Sequence, residues 1–361
     1  MKVSIGSKIF SGPYGGGNSF VINLIKYLES NGCKVVFDLN DRDIDIILLT
    51  NPMLDSESSS FNHHDINFYL NFVNNKSIVV HRINECDERK GTFGINKKIE
   101  NANKACDYTI FVSNWIRELY IPKYKITSRN KVILGGSNPK IFYPLKNNTI
   151  KNNKIKSVTH HWSSNKFKGK EIYLKINELL NSEYWSNQFS FTYIGNITDS
   201  EKFNNTNIIK PMQEQDLGPE LRKYDGYITA SKNEPSGNHH VEAALSGLPI
   251  LYLESGGIPE YCDGYGLSFN TKNFEIKLDE FVKNLNYYKT NLINYPHNSL
   301  IMSENYLTTF KELLANKKEI INLRKKNNKF KVLILYFINK LKKKNILIKN
   351  YAKIKIKSFF K

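Results

Sequence analysis

Along the first 145 residues, short β-branched apolar runs alternate with longer amphipathic stretches: 2–9, 19–30, 34–38, 44–50, 77–82, 108–113 and 131–134. The short runs predict strands and the periodic stretches predict helices, an alternation that belongs to a parallel, doubly wound sheet. The run from Ile44 to Leu49 is apolar on both faces but for Asp45, as a central strand covered by helices on each side should be.

Residues 145–156 read LKNNTIKNNKIK, polar and without apolar periodicity, which predicts an exposed connection between two domains at 146–156. The alternation then restarts with strands near 158–161, 189–194, 208–211, 226–230 and 249–253. Helices are expected at about 170–180, 217–224 and from His239, then at 277–292 and 304–318. The pattern predicts two Rossmann-like domains, 1–145 and 157–300, a return helix within 301–323 and a C-terminal tail over 324–361. Two such domains in tandem leave a cleft between the carboxyl ends of their sheets, where ligands of open α/β sheets bind.

A chain of 361 residues, 40% hydrophobic and 12% aromatic, has the means to bury two cores, which excludes wholesale disorder. Of its net charge of +18, 14 units lie in 324–361, which holds no acidic residue, so residues 1–323 carry only +4. The basicity is local, which argues against a nucleic-acid coat and leaves the tail to be explained. Cys33, Cys86, Cys106 and Cys262 show no Cys-x-x-Cys spacing and read as reduced thiols rather than a disulfide framework or zinc site. The N-terminus lacks a continuous apolar core, and no stretch reaches the roughly 20 apolar residues of a membrane span. A cytoplasmic protein, peripheral at most to the inner face of a membrane, is expected.

The most informative segment is Asn233 to Pro249. It follows an apolar strand, turns through Pro235 and Gly237, and opens a short helix that ends at Gly247. The open N–H groups of its first turn, near Asn238 and His239, suit a phosphate. Glu234 and Glu242, with seven residues between them, can reach different hydroxyls of one extended ligand; the same residues also suit a turn and capping cluster with a surface glutamate.

This spacing, leading into Glu242-Ala243-Ala244-Leu245-Ser246-Gly247-Leu248-Pro249 and Gly256-Gly257-Ile258-Pro259-Glu260, resembles the donor-site signature of the family 4 glycosyltransferases, retaining enzymes of GT-B fold. The resemblance extends to Phe111-Val112-Ser113-Asn114-Trp115, to Val132 through Ser137 with Phe142-Tyr143-Pro144, and to Lys168-Gly169 after the first strand of the second domain. It implies that Glu234 binds hydroxyls of the transferred sugar, Glu242 the ribose and Lys168 the diphosphate. Gly237, Asn238, His239 and the Gly256-Gly257 turn would line the donor site. A lysine and a helix N-terminus can stabilise a departing diphosphate without a metal, and front-face attack needs no protein nucleophile. Family members commonly carry an arginine just before the Lys-Gly pair. Here that stretch runs from His160 to Phe167, which leaves Asn165 or Lys166 as candidates for the second phosphate contact.

Gly15, Gly16 and Gly17 lie between a strand and a helix, in Gly12-Pro13-Tyr14-Gly15-Gly16-Gly17-Asn18, where backbone can approach a diphosphate or an acceptor. The spacing does not match the dinucleotide fingerprint, and a plain flexible turn is the alternative. His81 ends a predicted strand and is the candidate for positioning the acceptor or polarising the reacting sugar, or else a hydrogen-bonded core histidine. Asp87-Glu88-Arg89-Lys90 reads as a solvated turn. The pairs His63-His64, His160-His161 and His239-His240 lack the carboxylate company and geometry of a metal site, so no metal and no separate cofactor is expected. Asp41-Arg42-Asp43 reads as a turn entering a strand.

In the tail, Ile334, Phe337, Ile338, Leu341, Ile348 and Tyr351 share one helical face, while Lys340, Lys342, Lys343, Lys344 and Lys349 lie mostly elsewhere. This predicts an interfacial helix on an anionic membrane. The functional expectation is a transferase moving a sugar from a nucleotide-sugar to a lipid-linked surface glycan, such as a lipopolysaccharide or capsule precursor. The alternatives are a nucleotide-sugar epimerase of the same fold and a non-catalytic sugar-nucleotide-binding scaffold.

Overall fold

The structure is a computed structural model that describes residues 1–10, 12, 15–145, 154–198, 202–325 and 327–359, without side chains at 347 and from 349 onward. Most of the expected linker, 146–153, lies outside the described residues, as do Pro13, Tyr14 and the side chains of Lys349 and Tyr351.

The first half runs β1 (Lys2–Ile5), α1 (Gly16–Ser30), β2 (Lys34–Val36), β3 (Ile46–Leu49), α2 (His63–Phe72), β4 (Ile78–Ile83), α3 (Ile95–Asn103), β5 (Tyr108–Phe111), α4 (Asn114–Tyr120) and β6 (Asn130–Val132). Its strands form one parallel sheet in the order β2-β1-β3-β4-β5-β6. The second half runs β7 (Ile155–His161), α5 (Lys170–Leu179), α6 (Glu183–Gln188), β8 (Phe189–Gly195), β9 (Asn207–Ile209), α7 (Glu214–Leu221), β10 (Gly226–Thr229), α8 (Asn238–Leu245), β11 (Ile250–Leu253), α9 (Pro259–Cys262), β12 (Gly266–Phe269), α10 (Phe274–Lys283) and α11 (Leu285–Asn291). This sheet is parallel too, in the order β12-β11-β10-β7-β8-β9. The strand order reverses at β1/β3 in one sheet and at β7/β10 in the other, and open α/β sheets bind ligands at such points.

Two Rossmann-like sheets therefore stand as the pattern predicted, and β3 and β4 are buried along their whole length. Two details differ. The helix expected over 277–292 is broken at Asn284 into α10 and α11, and β12, whose Gly266-Leu267-Ser268-Phe269 has no β-branched residue to mark it as a strand, closes one edge of the second sheet.

The chain then returns to the first sheet. In α12 (Ser299–Ala315), Met302, Tyr306, Phe310 and Leu313 recur at helical spacing and are buried in one cluster with Val3, Ile5, Phe20, Leu24 and Ile46. Burial of such side chains contributes about 1.5–3 kcal/mol each, so this helix is part of the first domain's core although it is last in sequence. After α13 (Lys317–Asn322), Arg324 donates to Asp107 Oδ1 at 2.9 Å and Oδ2 at 2.6 Å, and to the carbonyls of Asn75 and Ser77. Arg324 was expected to belong to the membrane-binding tail; it is instead a fixed anchor on the first domain.

Beyond it, α14 (Lys329–Phe359) lies along α2 through a polar seam. Asn62 donates to Asn339 at 2.9 Å, Lys343 pairs with Asp65 at 2.8 Å, and Phe68 stacks on Tyr336 with ring centres 4.0 Å apart. Asp65 also closes the capping box of α2, so one buried carboxylate serves both helices. The apolar residues of the other face, Phe330, Ile334, Phe337, Leu341 and Ile348, are exposed. Among the described residues no helix is long and apolar enough to cross a membrane.

Candidate functional site at the interdomain cleft

A cleft of about 420 Å³ opens between the carboxyl ends of the two sheets, lined from both halves. On the second side, β7 ends in His160 and His161, and the chain passes through a single turn, Lys166–Lys168, whose amide at Phe167 is capped by the Asn165 side chain at 2.8 Å. Gly169 follows at φ +80°, and a Cβ there would sit 2.2 Å from the Ala230 carbonyl. Only glycine lets α5 start this close to the end of β10, which is why Lys168 is delivered to the cleft with a glycine behind it.

The loop after β10 carries Asn233 at φ 51°, a left-handed position that asparagine tolerates, and then Glu234. Glu234 is buried and accepts from Lys168 Nζ at one oxygen, while Arg89 Nε lies 3.0 Å from the other. Burial alone would raise the Glu234 carboxyl, but Arg89 and Lys168 hold it well below the usual carboxylate range. Gly237, at φ +80°, turns the chain into α8, which has no side-chain cap and no acid in its first turn. Across the cleft α1 begins in the same way, uncapped at Gly15 with no acid in its first turn. The two starts meet: a Cβ on Gly16 would lie 2.9 Å from the Asn238 side chain.

Glu242 lies one turn into α8, where His160 Nε2 donates to it at 2.8 Å. His239 bonds Thr229 Oγ1 at 2.8 Å, and burial holds His239 and His161 well below the ordinary histidine range, so both rings are neutral. These rings line the cleft with Trp162.

Of the sequence candidates, the cleft brings together Gly15, Gly16, Gly17, Lys168, Glu234, Gly237, Asn238, His239 and Glu242. Asn165, His81, Gly256 and Gly257 do not line it. Asn165 is spent on its capping bond. His81 corrects the expectation that it emerges into the cleft: β4 runs on to Ile83, so His81 pairs with Leu49 and Thr109 inside the sheet and accepts from Asn103 Nδ2 at 3.1 Å. Because strand residues alternate in face, its neighbour Arg82 takes the cleft side, with its guanidinium carbon 3.9 Å from the centre of the Phe20 ring on α1.

Gly256 and Gly257 instead support the Glu234 loop. Gly257 N donates to the Glu234 carbonyl at 2.8 Å, and a Cβ on Gly256 would lie 2.5 Å from that oxygen. The neighbouring motifs form a seam between the halves. Glu260 accepts from the amides of Asn114 at 2.7 Å and Trp115 at 2.8 Å, an acid on the start of α4. Tyr261 OH donates to the Val112 carbonyl at 2.7 Å and accepts from Gly135 N at 2.8 Å.

Sequence reasoning missed Arg89. The Asp87–Lys90 run is not merely a solvated turn: Asp87 caps the start of α3 through Ile95 and Asn96, and Arg89 crosses to the second domain. Ser19 with Glu214, a further bond across the cleft, was missed as well.

Sucrose-phosphate synthase from Thermosynechococcus elongatus has a similar structure, with a TM-score of 0.65 at 13% identity, covering 87% of this chain and 99% of that one. HepE of Anabaena in complex with UDP is similar at a TM-score of 0.63 and 14% identity, covering 87% and 100%. The lipopolysaccharide outer core galactosyltransferase WaaB, in its apo form, is similar at 0.59 and 14%, covering 87% and 100%. No protein-family model matches this chain, nor does any curated protein sequence. At these identities the likeness defines the fold, which is GT-B: two parallel Rossmann-like sheets facing across a cleft.

Proposed function

We propose that this protein is a retaining glycosyltransferase of family 4 type that moves a hexose from a nucleoside diphosphate sugar to a lipid-linked surface-glycan precursor. The observation that carries the reading is the meeting of two uncapped helix starts, α1 and α8, beside Lys168 and Arg89. Helix N-termini and fixed cations stabilise the charge that develops on a departing diphosphate. HepE, of the same fold, has been crystallised with UDP and with UDP-glucose, which supports a nucleotide-sugar donor.

In this reading the diphosphate lies between the two helix starts, with Lys168 on one flank. Glu242, held by His160, takes the ribose hydroxyls, and Glu234 takes hydroxyls of the transferred sugar once the phosphate draws Lys168 and Arg89 toward itself. The positive charge comes from the protein, so the reaction proceeds without a divalent cation. The exposed apolar face of α14, flanked by lysines, rests on the anionic inner face of a membrane, where a lipid-linked acceptor resides.

The test is a screen of nucleoside diphosphate sugars for thermal stabilisation, followed by transfer assays in EDTA with the anomeric configuration of the product read by NMR. Stabilisation by one donor and transfer with retained configuration are expected. Conversion of the donor alone to an epimer, or activity that needs added manganese, overturns the reading.

A further inference from the structure

Three carboxylates line the cleft, and each has a partner: Glu234 with Lys168 and Arg89, Glu242 with His160, and Glu214 with Ser19. Arg82, on the first domain's wall, has no acid: its neighbours are the Phe20 ring and the neutral Tyr306 hydroxyl. Arg82 is 7% exposed, makes no ion pair among the described residues, and its Nε is sealed from solvent without a hydrogen-bond partner. A guanidinium keeps its charge at all ordinary pH values, so burial without a counter-ion is costly. The same cleft is lined by Gly15, Gly16 and Gly17, whose helix is uncapped and carries no acid in its first turn. In the reading above the donor's phosphates take that helix start, which leaves the Arg82 charge without an acid to neutralise it.

We propose that Arg82 forms an oxyanion subsite on the first domain's wall for a phosphate or carboxylate carried by the acceptor, apart from the diphosphate held between the two helix starts. The word acceptor rests on the function proposed above; the oxyanion chemistry rests on the arginine alone. A planar guanidinium binds either group through paired N–H donors. The Arg82 guanidinium carbon sits 3.9 Å from the Phe20 ring centre, a contact that restrains the group before the ligand arrives. An uncharged sugar in this position would leave the cation without a partner, so the subsite selects acceptors that carry a negative group.

The experiment uses the full chain, saturated with whichever of UDP, GDP, ADP and dTDP stabilises it most, so that the donor's phosphate position is filled. Millimolar inorganic phosphate is then added against chloride of equal ionic strength, and the melting temperature is read for wild type, Arg82→Gln and Arg82→Lys. Wild type is expected to gain stability from phosphate, Arg82→Lys to keep part of the gain, and Arg82→Gln to lose it while its nucleotide affinity stays within twofold. Arg82→Met, which removes an unpaired buried charge, is expected to melt no lower than wild type without anions, which guards against misfolding as the cause. An equal gain in Arg82→Gln, or no gain in wild type, overturns the subsite. A tenfold loss of nucleotide affinity in Arg82→Gln assigns the anion to the donor and overturns the acceptor role. If no nucleotide stabilises the chain yet phosphate does so only with Arg82 present, the nucleotide reading fails and the oxyanion site stands.

Discussion

Arg89 of the first domain and Glu234 of the second are joined across the cleft, Nε to Oε1, at 3.0 Å, and the other oxygen of the same carboxylate takes Lys168. One buried acid is thus shared by two cations from different domains. The side chains of Lys168 and Arg89 keep 17% and 29% exposure, so each can turn toward an incoming diphosphate without leaving a hydrophobic shell.

Glu234→Gln removes both ion pairs. We expect transfer to fall about 100-fold or more, the loss of about 3 kcal/mol expected when charged hydrogen bonds to substrate are removed. Stability should fall by about 1–3 kcal/mol in urea titration, since the two stranded cations are partly solvated. Wild-type turnover in this variant would remove Glu234 from the chemistry.

Arg89→Gln keeps Lys168 in place but cuts the bond between domains. The expected outcome is a roughly tenfold loss of kcat/KM, about 1.4 kcal/mol, carried mostly by KM for the donor, with nearly unchanged melting temperature. Steady-state kinetics at varied donor concentration separates this from a purely structural effect.

Much of the site is legible in the chain because Lys168, Glu234 and Gly237 lie on loops between a strand and the next helix, and Glu242 in the second turn of such a helix, and local pattern reports such places. Arg89 is not legible in this way. Its meaning depends on a partner 145 positions away, and its own neighbours, Asp87, Glu88 and Lys90, give it the composition of any surface turn. His81 shows a second limit. A strand that runs on to Ile83, rather than ending at His81, puts His81 inside the sheet and hands the cleft to Arg82. The seam formed by Val112, Asn114, Gly135, Glu260 and Tyr261 was visible as motifs, but not as a joint, for the same reason as Arg89.

Burial lowers both His81 and His240 to about 3, against 6.5 for a free imidazole. Their stabilising contribution is complete above about pH 6.5 and is lost as the pH falls toward 3, because the unfolded chain takes up the proton first. Each histidine should add a slope of about 1.4 kcal/mol per pH unit in that window. Urea unfolding between pH 7 and 4.5 should show this steepness, and His81→Gln should reduce it by one proton while leaving turnover within a few-fold.

Phe337 and Leu341 lie on the exposed face of α14, away from the Asn339 and Lys343 seam with α2. The double variant Phe337→Ser/Leu341→Ser should weaken binding to vesicles rich in phosphatidylserine at least tenfold, with the melting temperature unchanged. Cosedimentation at two salt concentrations measures it, and undiminished binding would remove the apolar face from the contact.

The place where the chain comes back to the first domain has a mechanical meaning. Ser299 N donates to the Ser137 carbonyl at 2.8 Å, and a Cβ on Gly136 would lie 2.2 Å from the Asn298 oxygen. The outgoing and incoming segments are therefore clipped side by side, like the two leaves of one door hinge. Sliding of one crossing past the other is resisted where this clip sits. Any side chain larger than hydrogen at Gly136 would wedge the two crossings apart.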